Sequence, residues 1–409
     1  GSGTTNKDMF IAKMDSTGNY IWAISGGGGP FDDRALGMHV SPGGQVYLTG
    51  TFWGNISFNG TGGPVTANGN GHDTSLMAKF DTNGNCIWAR GFGAAPSGSC
   101  PWPIYDGDDH SYDVKVDEDD NIYVTGFFSG NSADFDAFTL TNPNWTSCQP
   151  SGYVGKMDSN GDFIWVQKFD GIKDQRGSRD NRIAIDNLNN VFVVGGFENT
   201  GTYGPLTLTS NGSWDAFLFK MDTDGNFLWA KNVGSNKSDR ANGIAIDYAD
   251  NVYVSGEYRN PMVFSGANAS NGTDTLSHAK KRDVFVAKIT TNGDWVWAKR
   301  ARSKGTDKPY QMSVDDNMQV FIAGSAGDSL KFNNNIELSV GDTGISAFVA
   351  QLDGSDEGDW VWAKMGGGPT DNDRAGDITE HDGNVYSVGF YEQLGDFDGV
   401  THTALGKKD

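Results

Sequence analysis

"MDTDGNFLWAK", residues 221–231, reads as the end of one strand, a tight turn, and a second strand carrying Trp229. Asp and Asn offer side-chain acceptors to the nearby backbone and Gly supplies positive φ, so the centre of the phrase is hairpin chemistry. The phrase returns as "MDSTGNYIWAI" from Met14, "FDTNGNCIWAR" from Phe80, "MDSNGDFIWVQ" from Met157, "ITTNGDWVWAK" from Ile289 and "LDGSDEGDWVWAK" from Leu352. Its tryptophans stand at 22, 88, 165, 229, 297 and 362, spaced by 66, 77, 64, 68 and 65 residues. Repeats are read before domains are counted. The 409 residues are therefore expected to form one domain of six repeats rather than two or three domains.

Each repeat holds four apolar runs of strand length. In the fourth they are "NGIAID" (242–247), "NVYVSGEY" (251–258), "VFVAKI" (284–289) and "WVWAKR" (295–300), here called strands a, b, c and d. They are rich in Val, Ile, Phe, Tyr and Trp, and no stretch shows sustained helical periodicity. Turns such as "DYADN" join a to b, and turns such as "DTDGN" join c to d. The b–c and d–a connections are long. A four-stranded meander repeated in this way cannot bury its sheet faces alone, and stacking the sheets around an axis buries both. The expected fold is all-β, a six-bladed β-propeller of four-stranded antiparallel blades.

The chain opens in c and d strands ("MFIAKMD", "YIWAIS") and ends after a and b strands ("AGDITE", "NVYSVGFY"). One blade is then expected to be shared, closing the ring by a two-plus-two clasp; the alternative is a segment of a longer array. Meander geometry puts the tight turns on one face and the long loops on the other.

The chain carries 31 Lys+Arg against 52 Asp+Glu, a net charge of -21. Such a balance repels phosphate backbones, so nucleic acid is excluded as an expected partner. No apolar run approaches the span that crosses a membrane as a helix. The opening "GSGTTNKD" looks like an internal cut, and the domain is expected to be a monomeric part of a larger protein. Of three cysteines, Cys86 takes a position held elsewhere by Tyr20, Phe163, Phe227, Trp295 and Trp360, which reads as a buried thiol. Cys100 and Cys148 lie in irregular loops of one blade and one face. A disulfide between them is expected, and with it an oxidising compartment.

The motifs "IAIDNLNNVFVVGGF", "IAIDYADNVYVSGEY", "DAFLFKMDTDGNFLWAK" and "DVFVAKITTNGDWVWAK" resemble the bacterial β-propeller repeats called SBBP repeats. That family runs through "IAVD", "GNVYVTG", a long loop, "DAFVAKLD" and "GNxLW", and the resemblance covers essentially the whole chain. It implies a secreted or surface-exposed bacterial protein, often large and multidomain, including adhesin-like proteins of Bacteroidota exported by type IX secretion. The family's name suggests seven blades, where this chain offers six. Sialidase-type Asp boxes do not fit, because Trp229 follows Gly225 by four residues. Five of the six copies lack the Thr before Gly that a quinone-docking motif needs.

Four groups of residues are candidate sites. Asp33, Asp109, Asp180, Asp239, Asp307 and Asp373 each precede a strand a, and a ring of them at the channel mouth could bind calcium. The plainer alternative is that each caps its turn or pairs with the neighbouring Arg34, Arg240 or Arg374. The acidic turn around Asp117 and Asp119 is a second place for a cation. Lys13, Lys79, Lys156, Lys220 and Lys288 recur on strand c, with Gln351 in the last copy, and read as packed stems rather than an anion site. Trp102, Tyr105 and Trp145 lie in the loops at 96–110 and 131–151 that the disulfide would tie together, and suit recognition of a protein or glycan. Their alternative is a local mini-core. Six scattered His residues give no metal-ligand spacing, and no nucleophile motif occurs. The expected function is a non-catalytic binding or spacer module at a cell surface, with no required cofactor. A carbohydrate-active enzyme and an inert stalk are the alternatives.

Overall fold

The computed structural model describes residues 7–28, 31–96, 100, 107–171, 181–265, 273–277, 281–339, 344–355, 357–368, 372–392, 394–397 and 399–403. It is all-β, with one short 3-10 helix at Pro143–Ser147 among the described residues. Unit one holds Arg34–Val40, Val46–Gly60, Gly63–Phe80 and Cys86–Ala94 as strands a to d; unit two holds His110–Val116, Ile122–Phe128, Ser151–Met157 and Phe163–Phe169. Unit three holds Arg182–Ile185, Val191–Phe197, Asp215–Met221 and Phe227–Val233; unit four holds Arg240–Ile246, Val252–Tyr258, Asp283–Ile289 and Trp295–Ala301. Unit five holds Lys308–Val314, Gln319–Ala326, Ser346–Asp353 and Trp360–Gly366. Every unit is an antiparallel meander in the order a, b, c, d. At the two ends lie a c–d pair, Met9–Met14 with Tyr20–Gly26, and an a–b pair, Arg374–His381 with Asn384–Phe390.

The turns form for the reasons read from the sequence. In the c–d turns, Asp15, Asp81, Asp158 and Asp222 accept the N–H groups two and four residues on, at 2.8–3.0 Å. Gly18, Gly84, Gly161, Gly225 and Gly293 follow at φ +83 to +88°, where a side chain would be strained. Asp117, Asp186, Asp247 and Asp315 repeat the carboxylate pattern in the a–b turns.

The core lies between neighbouring sheets. Val286 and Trp297 of unit four, for example, pack with Met312, Ile322 and Phe348 of unit five. In units two, three and four every residue of strand b is buried. The a strands pack on one another in unit order, from Arg34–Val40 round to Arg374–His381, so they form the inner wall.

The long b–c connections are not open loops. They fold into hairpins, among them Ser132–Phe135 with Phe138–Thr141 and Leu394–Phe397 with Val400–Thr403. These hairpins attach to the outer strand d of the preceding unit, through Ala94 to Ala133, Phe169 to Tyr203, Arg302 to Lys331 and Gly367 to Asp396. An otherwise open sheet edge is thereby covered.

The tryptophans do more than anchor their own strand. The indole Nε1 of five of the six donates to a carbonyl in the c–d turn of the next unit: Trp22 to Thr82, Trp88 to Ser159, Trp165 to Thr223, Trp229 to Thr291 and Trp297 to Ser355, at 2.8–3.2 Å. The expected clasp is not formed in this structure. The two end pairs stand as separate two-stranded sheets, with no ladder between Asn384–Phe390 and Met9–Met14. The first pair is held by unit one and the last by unit five, and only their own shared edge would join them.

Candidate binding site in the central channel

Five of the six ring aspartates fall among the described residues, and Asp180 lies outside them. Asp33, Asp109, Asp239, Asp307 and Asp373 are all buried. Each backbone N–H donates to a carbonyl of the preceding blade, Lys7, Asp73, Trp214, Arg282 and Ile345 respectively, all but Asp73 just ahead of strand c. Each carboxylate then accepts an N–H of its own unit, from Trp53 within strand b or from Ser129, Arg259, Gly327 and Glu392 just past it, at 2.8–3.1 Å. Asp109, Asp239 and Asp373 accept a second, from Ala94, Ser235 and Gly368. These residues stitch blade to blade, and they do not converge on a point. Among the described residues no three His, Cys, Asp or Glu side chains gather as a metal group. Arg34 reaches Asp32 at 3.6 Å, and Arg240 lies over the Trp214 ring at 4.5 Å. Burial pushes the carboxyls up, Asp33 to about 6 and Asp307 to about 7, with accepted hydrogen bonds opposing.

Asp117 is likewise occupied. Its oxygens accept the backbone N–H groups of Asp119 and Asn121, the Asn121 amide and the Tyr123 hydroxyl. The strand-c lysines sit over aromatic rings of strand b: Lys79 over Tyr47, Lys156 over Tyr123, Lys220 over Phe192 and Lys288 over Tyr253, at 4.9–5.7 Å. They are packed stems, as read.

Cys100 and Cys148 form the disulfide, with Cα atoms 5.7 Å apart. Cys86 is a buried thiol, pushed up to about 12 by burial. Trp145 corrects the sequence reading. It is fully buried inside the short helix capped by Asn142, so it builds a mini-core and offers no ring to a ligand. Trp102 and Tyr105 lie outside the described residues.

The sequence reading missed the inner wall. The a strands surround a channel cavity of about 770 Å³. In most units strand a bulges near its start, and the residue after the bulge pairs with strand b just before a repeated glycine. That position holds Gly37, Asp113, Arg182, Gly243, Gln311 and Asp377 in turn. Two residues on stand His39, Lys115, Ala184, Ala245, Ser313 and Thr379. The residue between them is always apolar: Met38, Val114, Ile183, Ile244, Met312 or Ile378. So the repeat holds an apolar residue at this position and breaks at the wall. A comparison of the a strands position by position carries this signal.

The wall groups differ in sign and come from four blades. Asp113 is buried, accepts the N–H groups of Val114 and Ile183, and lies 3.7 Å from Lys115. Burial first, then Lys115, pushes the His39 imidazole down to about 4. Asp377 faces the channel, where desolvation raises its carboxyl, with the Ile378 N–H, Arg182 and Lys115 opposing and Asp113 adding to the rise. Such a wall can take up a small polar group through both donors and acceptors.

Residues 229–257 match the SBBP beta-propeller repeat. An uncharacterized WD repeat-containing protein of Acanthamoeba polyphaga mimivirus is 22% identical over 392 residues, covering 84% of this chain and 28% of that one. The regulatory protein FlaEY of Caulobacter vibrioides is 24% identical over 199 residues, covering 48% of this chain and 19% of its own length. The chain thus spans under a third of these curated relatives. Among solved structures, a Bacteroides caccae protein of unknown function has a TM-score of 0.39 at 11% identity, covering 88% of this chain and 93% of that one. A glucose dehydrogenase has a TM-score of 0.38 at 10% identity, covering 87% and 93%. The matched segment runs from Trp229 through the following strands a and b, and this stretch of the chain carries an SBBP beta-propeller repeat.

Proposed function

We propose that the chain closes as a six-bladed propeller and serves as a non-catalytic binding module of a secreted or cell-surface protein, recognising a protein or glycan. One observation carries the reading. In an otherwise regular repeat, the polar and charged variation gathers on the channel wall, at Asp113, Arg182 and Asp377 with His39 and Lys115. Positions that only hold a fold together repeat here, as the Asp stitches and Trp latches do. The Cys100–Cys148 disulfide supports an oxidising compartment and hence export. On the sequence alone, Trp102 and Tyr105 are further contacts on the long-loop face. The module is proposed to act as a monomer, without nucleic acid, membrane insertion or a required metal.

A glycan array probed with the purified chain tests this, followed by Arg182→Ala and Asp377→Ala on any glycan retained. Each variant should lose binding at least tenfold while its melting temperature holds. Undiminished binding would remove the channel wall from the site. Two carboxylates on one channel wall, Asp113 and Asp377, favour one second reading, acid–base chemistry on a sugar. Polysaccharide digests assayed for new reducing ends separate the two, and silence across a broad panel retires the enzyme.

A further inference from the structure

The closed ring proposed above leaves open how its two ends meet. We propose that the edge of Asn384–Phe390 receives Met9–Met14 in one register, Gly389 opposite Phe10, and that Trp362 latches onto the turn at Gly18. Each of the five complete units makes this b–c joint within itself.

In those units the b–c ladder places a glycine opposite a large side chain: Gly50 and Leu76, Gly126 and Tyr153, Gly195 and Phe217, Gly256 and Phe285, Gly324 and Phe348. All five large side chains are at most 1% exposed. In four units the ring lies 2.4–2.7 Å from where a glycine Cβ would stand, and in three of them the strand-a carbonyl crowds the same place, so glycine lets the ring and the neighbouring strand approach together. Gly389 occupies the same place in its strand, against the Arg374 carbonyl, and the three atoms nearest where its Cβ would stand are backbone atoms of Arg374 and Ala375. Phe10, the matching residue of Met9–Met14, is 75% exposed. The register that joins them also sets Lys13 opposite Tyr386, repeating the lysine-over-ring contact of units one to four.

A second set of contacts agrees. In units two, four and five an aromatic residue of the b–c hairpin packs on aromatics of strand d or c: Phe135 on Tyr153 and Phe163, Phe264 on Phe285 and Trp295, Phe332 on Phe348 and Trp360. All nine are at most 8% exposed. The corresponding trio of the divided blade is Phe397, Phe10 and Tyr20, exposed by 41%, 75% and 68%. Between unit five and Arg374–Phe390 lies an apolar cavity of about 460 Å³, walled by Val349, Met365, Ala375, Val388 and Phe397. Phe10 fills it in this register.

The latch completes the set. Trp22, Trp88, Trp165, Trp229 and Trp297 each lie against the turn glycine of the next unit: Gly84, Gly161, Gly225, Gly293 and Gly358. Gly18 has nothing within 4 Å of its open side. Trp362 is the sixth indole, and its donor is matched to the Ser16 carbonyl. Burying three aromatic side chains and pairing two bare edges supplies the driving force.

The test is a cysteine pair in the full chain, Ala12→Cys with Ser387→Cys, which this register sets directly opposite within disulfide reach. Mild oxidation should link residues 12 and 387 within one monomer, as read by non-reducing peptide mapping and size exclusion. A shifted pair, Lys13→Cys with Ser387→Cys, should not link. Efficient linking of the shifted pair alone would overturn the register and leave the closed ring standing. Linkage only between two copies would overturn closure within one chain. As a second measurement, Phe10→Ala should lower the melting temperature as much as Phe348→Ala does. No linkage in either pair, with Phe10→Ala unchanged in melting temperature, would overturn the closed ring itself.

Discussion

At the scale of single residues, the buried aspartates show how one side chain serves two blades. Asp307 donates its backbone N–H to Arg282 of unit four and accepts from Gly327 of its own unit. Burial raises its carboxyl to about 7, above the 3.8 expected of an exposed Asp. A raised folded value means the native state holds its proton longer than the unfolded chain. This contribution is therefore fully present below about pH 4 and is lost as pH rises through about 7. Asp307→Asn should remove it. Urea unfolding of parent and variant between pH 4.5 and 8 should show the parent losing up to about 1.4 kcal/mol per pH unit more than the variant. Parallel curves would mean that the accepted hydrogen bonds offset burial and the carboxylate is ionised throughout. The motif "DRA" displayed these aspartates in the sequence, but it suggested an arginine partner. Which groups a buried carboxylate meets depends on the neighbouring blade, which no local motif specifies.

At the scale of elements, the Trp hairpin that decides the fold is a joint between blades. Trp297 is buried, rests against Gly358 and donates to Ser355 at 2.8 Å. Trp297→Phe keeps most of the apolar contact and loses the donor, so stability should fall by about 1 kcal/mol. Trp297→Ala also opens a cavity and should cost on the order of 3 kcal/mol or more. Denaturant midpoints of the two variants check this, and equal losses would mean that the hydrogen bond, rather than packing, holds the joint. The same reasoning explains why the sequence leaves Trp145 open between a ligand contact and a local mini-core. Its loop lies outside the repeat, so the sequence supplied no register from which to infer burial. Only the folded loop, tied by the disulfide, shows that the indole points inward.

At the scale of the whole molecule, stacking the sheets decides where charge goes. With the described ring aspartates committed to backbone N–H groups, millimolar calcium should leave the melting temperature within a degree or so of its value in EDTA. A ligand that binds only the folded state would raise it. The sequence by itself determined the all-β class, the unit of four strands, the two turn types, the disulfide partners and the buried Cys86. Each follows from local chemistry: alternation, Asx turns, glycine at positive φ, and loop placement. The tertiary structure alone decided that the long connections become hairpins on the preceding blade, that the tryptophans bridge blades, and that varied polar residues such as Asp113, Arg182 and Asp377 share one channel wall. Those residues lie scores of positions apart in the chain. Contacts between blades arise only when separate sheets pack face to face, and the spacing of residues along one strand carries no record of what the next sheet brings against it.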